Sequence, residues 1–446
     1  MRRIFRLLIG CCLLSMPLTS LTAEAPGAGS TVSEIRHLEP SPLLIKKPDA
    51  LKDDIAIAKT PPALDFAIYP AQWAGAKLWS SWGDSLFGAD GKYYASTGDH
   101  DGPFGHAYVY LIDPAAHETR LIVDYNAGVG IPKESYSPGK IHAPICEGGD
   151  GWIYFAGYRG SAATASTKYG YVGDWLLRYE EKTGKTENLG VMVPHMSIAT
   201  MRSDQGRGLL YGLCQPSSTK PNAKGAFYVY SVKSQSLVFL GGPPSPVCRT
   251  IMLAHNGHAY YDTEGGIIYH YNPDNNTLQP TQAVLRGGSS LRAASAPGPN
   301  GTIYGFTMSG TIFAFDPATE KVTALCPIFP VKPTYTTTCR LSPGGRYLYY
   351  MPGAHGGQRV NGAPVMQLDL KTNQRKVLCF LFDYLRETAQ YECGGSFGMA
   401  LNADGSQLHL NLNGNAPDAG PKARDFGLAA QVIITIPVSE RTDDRL

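Results

Sequence analysis

A short phrase recurs seven times in this chain, and the repetition restricts its fold more than any other feature. A glycine-bearing turn followed by alternating aromatic and aliphatic residues occurs as Ala89-Asp90-Gly91-Lys92-Tyr93-Tyr94, as Gly149-Asp150-Gly151-Trp152-Ile153-Tyr154 and as Pro299-Asn300-Gly301-Thr302-Ile303-Tyr304. Four more copies centre on Gly208, Gly257, Gly345 and Gly405, so the anchor glycines stand roughly 44 to 60 residues apart. Each is followed by a second alternating strand that runs into a polar turn, such as Tyr110-Leu111-Ile112-Asp113-Pro114 or Phe313-Ala314-Phe315-Asp316-Pro317, and most by a third apolar strand, such as Lys321-Val322-Thr323-Ala324-Leu325. One repeat therefore supplies four strands joined by Gly/Asn/Asp hairpins. A four-stranded sheet cannot bury both faces alone, so each must pack on two neighbours, and closing the ring removes the ends of the array. The expectation is an all-β, seven-bladed propeller with four-stranded antiparallel blades; a β-sandwich with coincidental turns would not keep seven paired phrases in register.

Composition agrees where it bears on this. Glycine at 50, proline at 33 and tyrosine at 26, with only 17% charged residues, suit short strands and tight turns rather than amphipathic helices. A net charge of +2 gives no global field for nucleic acid or an anionic membrane, so any attraction for anions is local. Arg2, Arg3 and Arg6 precede an apolar run from Leu7 to Leu18 and then small residues, a pattern that predicts a signal peptide over residues 1–25 with cleavage after Ala23 or Ala25. Leu8-Ile9-Gly10-Cys11 also fits a lipoprotein box loosely, and Arg2-Arg3-Ile4-Phe5 a twin-arginine signal. No other segment approaches about 20 apolar residues, so a periplasmic or secreted protein without an integral membrane segment is expected, and a monomer. Residues 26–65, rich in Pro, Lys, Ala and Ser, read as a linker or surface strap, and 66–446 as the propeller.

Without the leader seven cysteines remain, an odd number, and none forms a CxxC pair. One or two disulfides suit an oxidising compartment. Cys326, Cys339 and His355, separated by 13 and 16 residues, offer a possible zinc set with a further histidine such as His258; buried free thiols are the alternative.

The inner strand of a propeller blade begins, and the second strand ends, on one face of the disc, and this gives a coordinate for the funnel. Counting back eight or nine residues from the anchor glycines reaches Trp82-Gly83, His142-Ala143, Ala199-Thr200, Cys248-Arg249, Arg292-Ala293, Thr336-Thr337 and Ser396-Phe397. Counting forward reaches Asp99-His100-Asp101, Tyr158-Arg159, Asp262-Thr263-Glu264 and Ala354-His355-Gly356, with His195 just ahead of the third inner strand. Two arginines near the axis, Arg249 and Arg292, can hold a carboxylate or sulfate with bidentate geometry, or pair with acids of neighbouring blades. A histidine near its usual pKa and a tyrosine hydroxyl can exchange protons with a substrate; His142 and Tyr158 are the leading pair, with His100 beside them.

The stretch Leu341-Ser342-Pro343-Gly344-Gly345-Arg346-Tyr347-Leu348-Tyr349-Tyr350-Met351-Pro352-Gly353-Ala354-His355-Gly356, with Ile141-His142-Ala143-Pro144-Ile145 and Leu291-Arg292-Ala293-Ala294, resembles secreted bacterial seven-bladed polysaccharide lyases related to the ulvan lyases, over about Lys77 to Val438. That family cleaves uronate polysaccharides by β-elimination and often carries a structural zinc. The resemblance implies that Arg249 and Arg292 clamp the uronate carboxylate, that His142 is the base with His100 as the alternative, and that Tyr158 is the acid. Asp174-Trp175 stands where relatives have a histidine. The function expected is therefore a lyase acting on an anionic, uronate-containing polysaccharide. The alternatives are a non-catalytic propeller that binds a glycan or protein through the same face and, third, a lyase for a small cyclic ester or another hydrolytic chemistry on the same scaffold. No P-loop, GxSxG or HExxH phrase supports a nucleotide-binding or ordinary hydrolase reading.

Overall fold

The anchor glycines occupy the turns they were expected to occupy, and each has a positive φ, from 63° at Gly208 to 86° at Gly151. An added Cβ at Gly91, Gly151 or Gly301 would meet nothing within 4 Å, so the backbone angle and not space demands glycine there. The computed structural model describes residues 30–446 apart from 53, 73–77, 161–166, 217–223, 331–334, 356–357, 418–419 and 421–425. The expected signal peptide lies outside the described residues.

Seven sheets form the ring. Blade three shows the plain pattern: an inner strand Met196–Asp204, then Leu209–Pro216, Ala226–Ser231 and an outer strand Ser236–Gly241, each antiparallel to the last. Blades four and five are likewise four-stranded, and the others carry a fifth strand. Packing follows from the patterning. Seven apolar clusters lie one at each blade interface, among them Tyr94, Val109, Ile145 and Phe155 between blades one and two, and Met252, Ile268, Leu291 and Phe313 between blades four and five. Burying each such side chain is worth about 1.5–3 kcal/mol.

The ring closes through the chain's own N-terminal part. Blade seven has three C-terminal strands, Glu392–Leu401, Gln407–Asn415 and Leu428–Thr435, and takes its fourth from Ala63–Ile68. The segment before it laces three outer edges: Val32–Glu34 pairs with Glu118–Asp124 of blade one, Arg36–Leu38 with Ala63–Ile68 of blade seven, and Ala56–Ile57, in parallel, with Gln374–Phe380 of blade six. These pieces cover sheet edges that would otherwise expose unpaired backbone groups.

All seven cysteines after residue 30 are free thiols in this fold, six of them buried among apolar side chains, so the expectation of one or two disulfides is not met. Among the described residues no helix is long and apolar enough to cross a membrane.

Candidate active site at the cationic mouth

Blade two builds the site by breaking its inner strand. Lys140–Ile141 pairs with Gly157 and Tyr158, while Cys146–Glu147 pairs further down with Ile153 and Tyr154; between them stands His142-Ala143-Pro144-Ile145. Pro144 has no N–H for a ladder, and the interruption sets His142 at the channel axis. Its Nδ1 donates to the Ala199 carbonyl of blade three at 2.6 Å. A carbonyl only accepts, so this bond fixes the proton on Nδ1 and leaves the lone pair on Nε2, which faces the Arg249 Nη1 donor at 3.4 Å. The ring stacks on Tyr158 at 4.5 Å and 24°. Tyr158 in turn donates to Gln215 Oε1 at 2.5 Å.

Arg249 crosses the axis from blade four. Its Nη1 donates to the His142 carbonyl at 3.1 Å, and its Nη2 to the carbonyls of Trp82 at 2.7 Å and Phe397 at 3.2 Å, which ties blades one, two, four and seven together. With only 4% of its surface exposed and both terminal nitrogens committed, it lies beneath the site as a fixed charge. The expectation that it clamps a carboxylate directly is therefore corrected. Arg292 is different: it is 7% exposed, packs its guanidinium 4.8 Å over the Tyr335 ring, and has no hydrogen-bond or ion-pair partner among the described residues, with a buried and unsatisfied Nε.

A residue that sequence reasoning missed completes the cluster. Lys140, 4% exposed, brings its Nζ to 2.7 Å from His100 Nε2, 4.4 Å from the centre of the Trp82 ring and 4.9 Å from that of Tyr158. Arg159 lies over the other part of Tyr158 at 5.8 Å. None of Lys140, Arg159, Arg249 and Arg292 has a carboxylate within ion-pair distance among the described residues. The acids of the neighbouring loops are committed elsewhere, Asp99 to His106 at 2.8 Å and Asp262 to Ser245 at 3.0 Å.

The electrostatics follow from this crowding. Burial, then the charges of Arg249 and Arg159, push the Lys140 ammonium well below its ordinary value. Burial and the neighbouring Arg249 and Lys140 hold His142 well below 6.5, so it is neutral at pH 7. Burial and Lys140 lower His100 to about 4. Burial, with Arg292, Arg249 and Lys140, brings His355 to about 4 although one side of it faces solvent. Tyr158 is raised, chiefly by burial, with Arg159 opposing, and so keeps its proton. Burial and Arg292 pull Arg249 down to about 9, and burial alone pulls Arg292 to about 10.

An aromatic wall completes the mouth: Trp82 stacks on Phe397 at 4.2 Å, and Trp79 on His100 at 5.4 Å. The structure thus brings together His100, His142, Tyr158, Arg249 and Arg292, and adds His355, which is hydrogen-bonded to the Tyr335 hydroxyl. Cys326 and Cys339 are not among them. Cys326 sits on the outermost strand of blade five and Cys339 on the innermost of blade six, three strand spacings or about 14 Å further in. The proposed set does not fit a zinc ion, and among the described residues no three His, Cys, Asp or Glu side chains group to hold a metal. His258, offered as a fourth ligand, bonds His270 instead.

No protein-family model matches the sequence, and no curated protein matches it. Among solved structures the chain is similar to an oligogalacturonate lyase from Vibrio parahaemolyticus, with a TM-score of 0.52 and 11% identity over 92% of this chain and 99% of that one. It also matches the structure of U3-55K, with a TM-score of 0.49 and 11% identity over 83% of this chain and 98% of that one. At such identities the likeness is one of fold, and the particular resemblance to ulvan lyases is not confirmed by it.

Proposed function

We propose that this protein is an exported, monomeric polysaccharide lyase that cleaves an anionic, uronate-containing polysaccharide by β-elimination. One observation carries the reading: among the described residues, the buried Lys140, Arg249 and Arg292 and the half-buried Arg159 stand without carboxylate partners around a neutral histidine stacked on a protonated tyrosine. Burying unpaired cations costs several kcal/mol each, so the cluster stores a demand that an anionic ligand meets. Neutralising a uronate carboxylate acidifies its C5 proton, a neutral base removes that proton, and a phenol protonates the departing O4. Arg292, with its free Nε, and Arg159 are placed to receive the carboxylate, above the fixed charge of Arg249. His142 Nε2 is the base in this reading, with His100, held neutral beside Lys140, as the alternative, and Tyr158 is the acid. The structural neighbour named an oligogalacturonate lyase supports the reaction class and no more. The basic-then-apolar leader supports export, and mass spectrometry of the mature N-terminus tests it.

Incubation of the purified protein with uronate polymers should generate the ultraviolet absorbance of a C4=C5 unsaturated product. A second reading, binding without turnover, is favoured by the enclosure of His142, which is only 8% exposed between Trp82 and Tyr158. Polymer binding that is lost in Arg292→Ala but unchanged in His142→Ala, with no product from wild type, would select it.

A further inference from the structure

Elimination from a uronate can remove the C5 proton and the C4 oxygen from one face of the sugar or from opposite faces, and the stereochemistry of the sugar decides which is needed. In glucuronate and mannuronate both groups lie on the same face of the pyranose. In galacturonate, guluronate and iduronate they lie on opposite faces. The placement of base and acid in a lyase therefore selects among these sugars before any pocket contact does.

We infer that this mouth performs a syn elimination, so that its substrate is a uronate of glucuronate or mannuronate configuration. The inference rests on the lyase reading and on Tyr158 as the acid. The base, His142, has its ring 4.5 Å from that of Tyr158 between centres, with the Lys140 cation 4.9 Å from the same Tyr158 ring centre. A pyranose held between base and acid needs van der Waals contact on each face, hence roughly 7–8 Å between the flanking groups, twice the usual 3.5–4.0 Å separation. The stacked pair does not leave that room, so His142 approaches the face that Tyr158 approaches. The other phenol–imidazole pair of the mouth, Tyr335 and His355, is hydrogen-bonded to itself and gives the same answer. Trp82 touches both histidines, at 5.6 Å from His142 and 4.9 Å from His355.

The step balances without a co-reactant. The base takes the C5 proton, the C5–H electron pair becomes the second bond of C4=C5, and the C4–O4 bond breaks with its pair on oxygen. O4 takes the Tyr158 proton, and the phenolate recovers a proton from the protonated base beside it, returning both groups to their starting state. The arrangement has the short return path that a base and acid on opposite faces would lack.

The experiment offers the purified protein polyglucuronate, polymannuronate, polygalacturonate and polyguluronate separately, and measures initial rates by ultraviolet absorbance for wild type and Tyr158→Phe. Cleavage of polyglucuronate or polymannuronate at least about 100-fold faster than the other two, with a loss of about 10²–10⁴ in Tyr158→Phe at an unchanged melting temperature, is the expected result. Cleavage of polygalacturonate or polyguluronate at a comparable rate overturns the stereochemical assignment while leaving the lyase reading intact. A Tyr158→Phe variant as fast as wild type overturns it by removing its acid. No product from any polymer, with the protein folded, removes the lyase reading and the assignment with it.

Discussion

The two ends of the central channel are made from the same inner strands, yet they treat charge in opposite ways. Where the strands finish, Arg340 and Arg202 share Asp84 at 2.9 and 3.9 Å, and Asp84 also accepts from the Thr338 hydroxyl at 2.7 Å and the Met399 amide at 2.8 Å. Burial acts to raise its pKa, but Arg340 and Arg202 outweigh this and hold it below the usual carboxylate range. At the rim Asp204 holds Arg207 at 3.1 Å. A cavity of about 470 Å³ opens there, lined by Phe87, Ile145, Leu253, Arg202 and Arg340. Where the strands begin, Lys140, Arg159, Arg249 and Arg292 meet with histidines and aromatic rings and, among the described residues, no carboxylate within ion-pair distance. Cavity volume alone would place a ligand at the first mouth, whereas unanswered charge places it at the second. We follow the charge, because Arg292, stripped of water and without a hydrogen-bond or ion-pair partner among the described residues, has no structural use that an apolar side chain would not serve better.

The sharpest way to break this comparison is to remove Asp84. In Asp84→Ala two half-buried guanidinium groups lose their shared, fully buried acid and blades one, six and seven lose a common hydrogen-bond acceptor. The expected cost is about 3–5 kcal/mol of unfolding free energy, read by urea denaturation. Arg292→Ala, at the other mouth, should melt at the same temperature as wild type or higher. Equal destabilisation by both substitutions would mean that both mouths are structural. The next largest effect falls on activity. Arg292→Ala is expected to lower kcat/KM on a cleaved uronate polymer by about 10²–10³, the loss typical of one donor to a developing charge, whereas Arg202→Lys in the paired mouth should leave it within a few-fold. Initial rates at low substrate, with melting temperature as the control for folding, decide between them.

How far this contrast could be read from the sequence differs between backbone and side chains. The ring was legible because the αL turn between the first two strands of every blade admits few residues besides glycine, and a count from those glycines reached Trp82, His142, Arg249, Arg292 and Phe397, four of which the Arg249 hydrogen bonds join directly. The strap strands were not, since segments of two or three residues such as Ala56–Ile57 show no alternation. Lys140 was missed because a lysine at a strand start reads as solvated; only the ladder pairing of Lys140 with Tyr158 turns it inward. Arg249 was placed correctly and misread in its detail, since nothing in the sequence says that three carbonyls meet its guanidinium. The metal set failed because sequence separation across a blade boundary does not measure radius: an outer strand and the next inner strand adjoin in sequence and stand a blade's width apart.

Acid titration separates the two mouths by a smaller effect. Histidines held neutral by the fold have folded-state pKa values below the unfolded value of 6.5, so their contribution to stability is complete above 6.5 and is lost as pH falls from there through the folded values. For His100 and His355 that window closes near pH 4, and His142, also lowered, acts with the same sign. Asp84, depressed below 3.8, contributes stability that survives until pH falls below that value. Melting temperature should therefore decline in two stages, the first between about pH 6.5 and 4 from the cationic mouth, the second below it from the paired mouth. Buried His409 in blade seven, lowered to about 3 mainly by burial, adds to the first stage with the same sign, so the variant to compare is His100→Gln, His355→Gln in one chain. That chain should show a flatter first stage and an unchanged second one, and a bound uronate oligomer should flatten the first stage of wild type by stabilising the charged imidazoles. Asp174 and Asp262, raised to about 6 chiefly by burial, act with the opposite sign over the same range, so the comparison of the two chains decides: a first stage as steep in the double variant as in wild type would show that these histidines are not held neutral, and the mouth would lose its base.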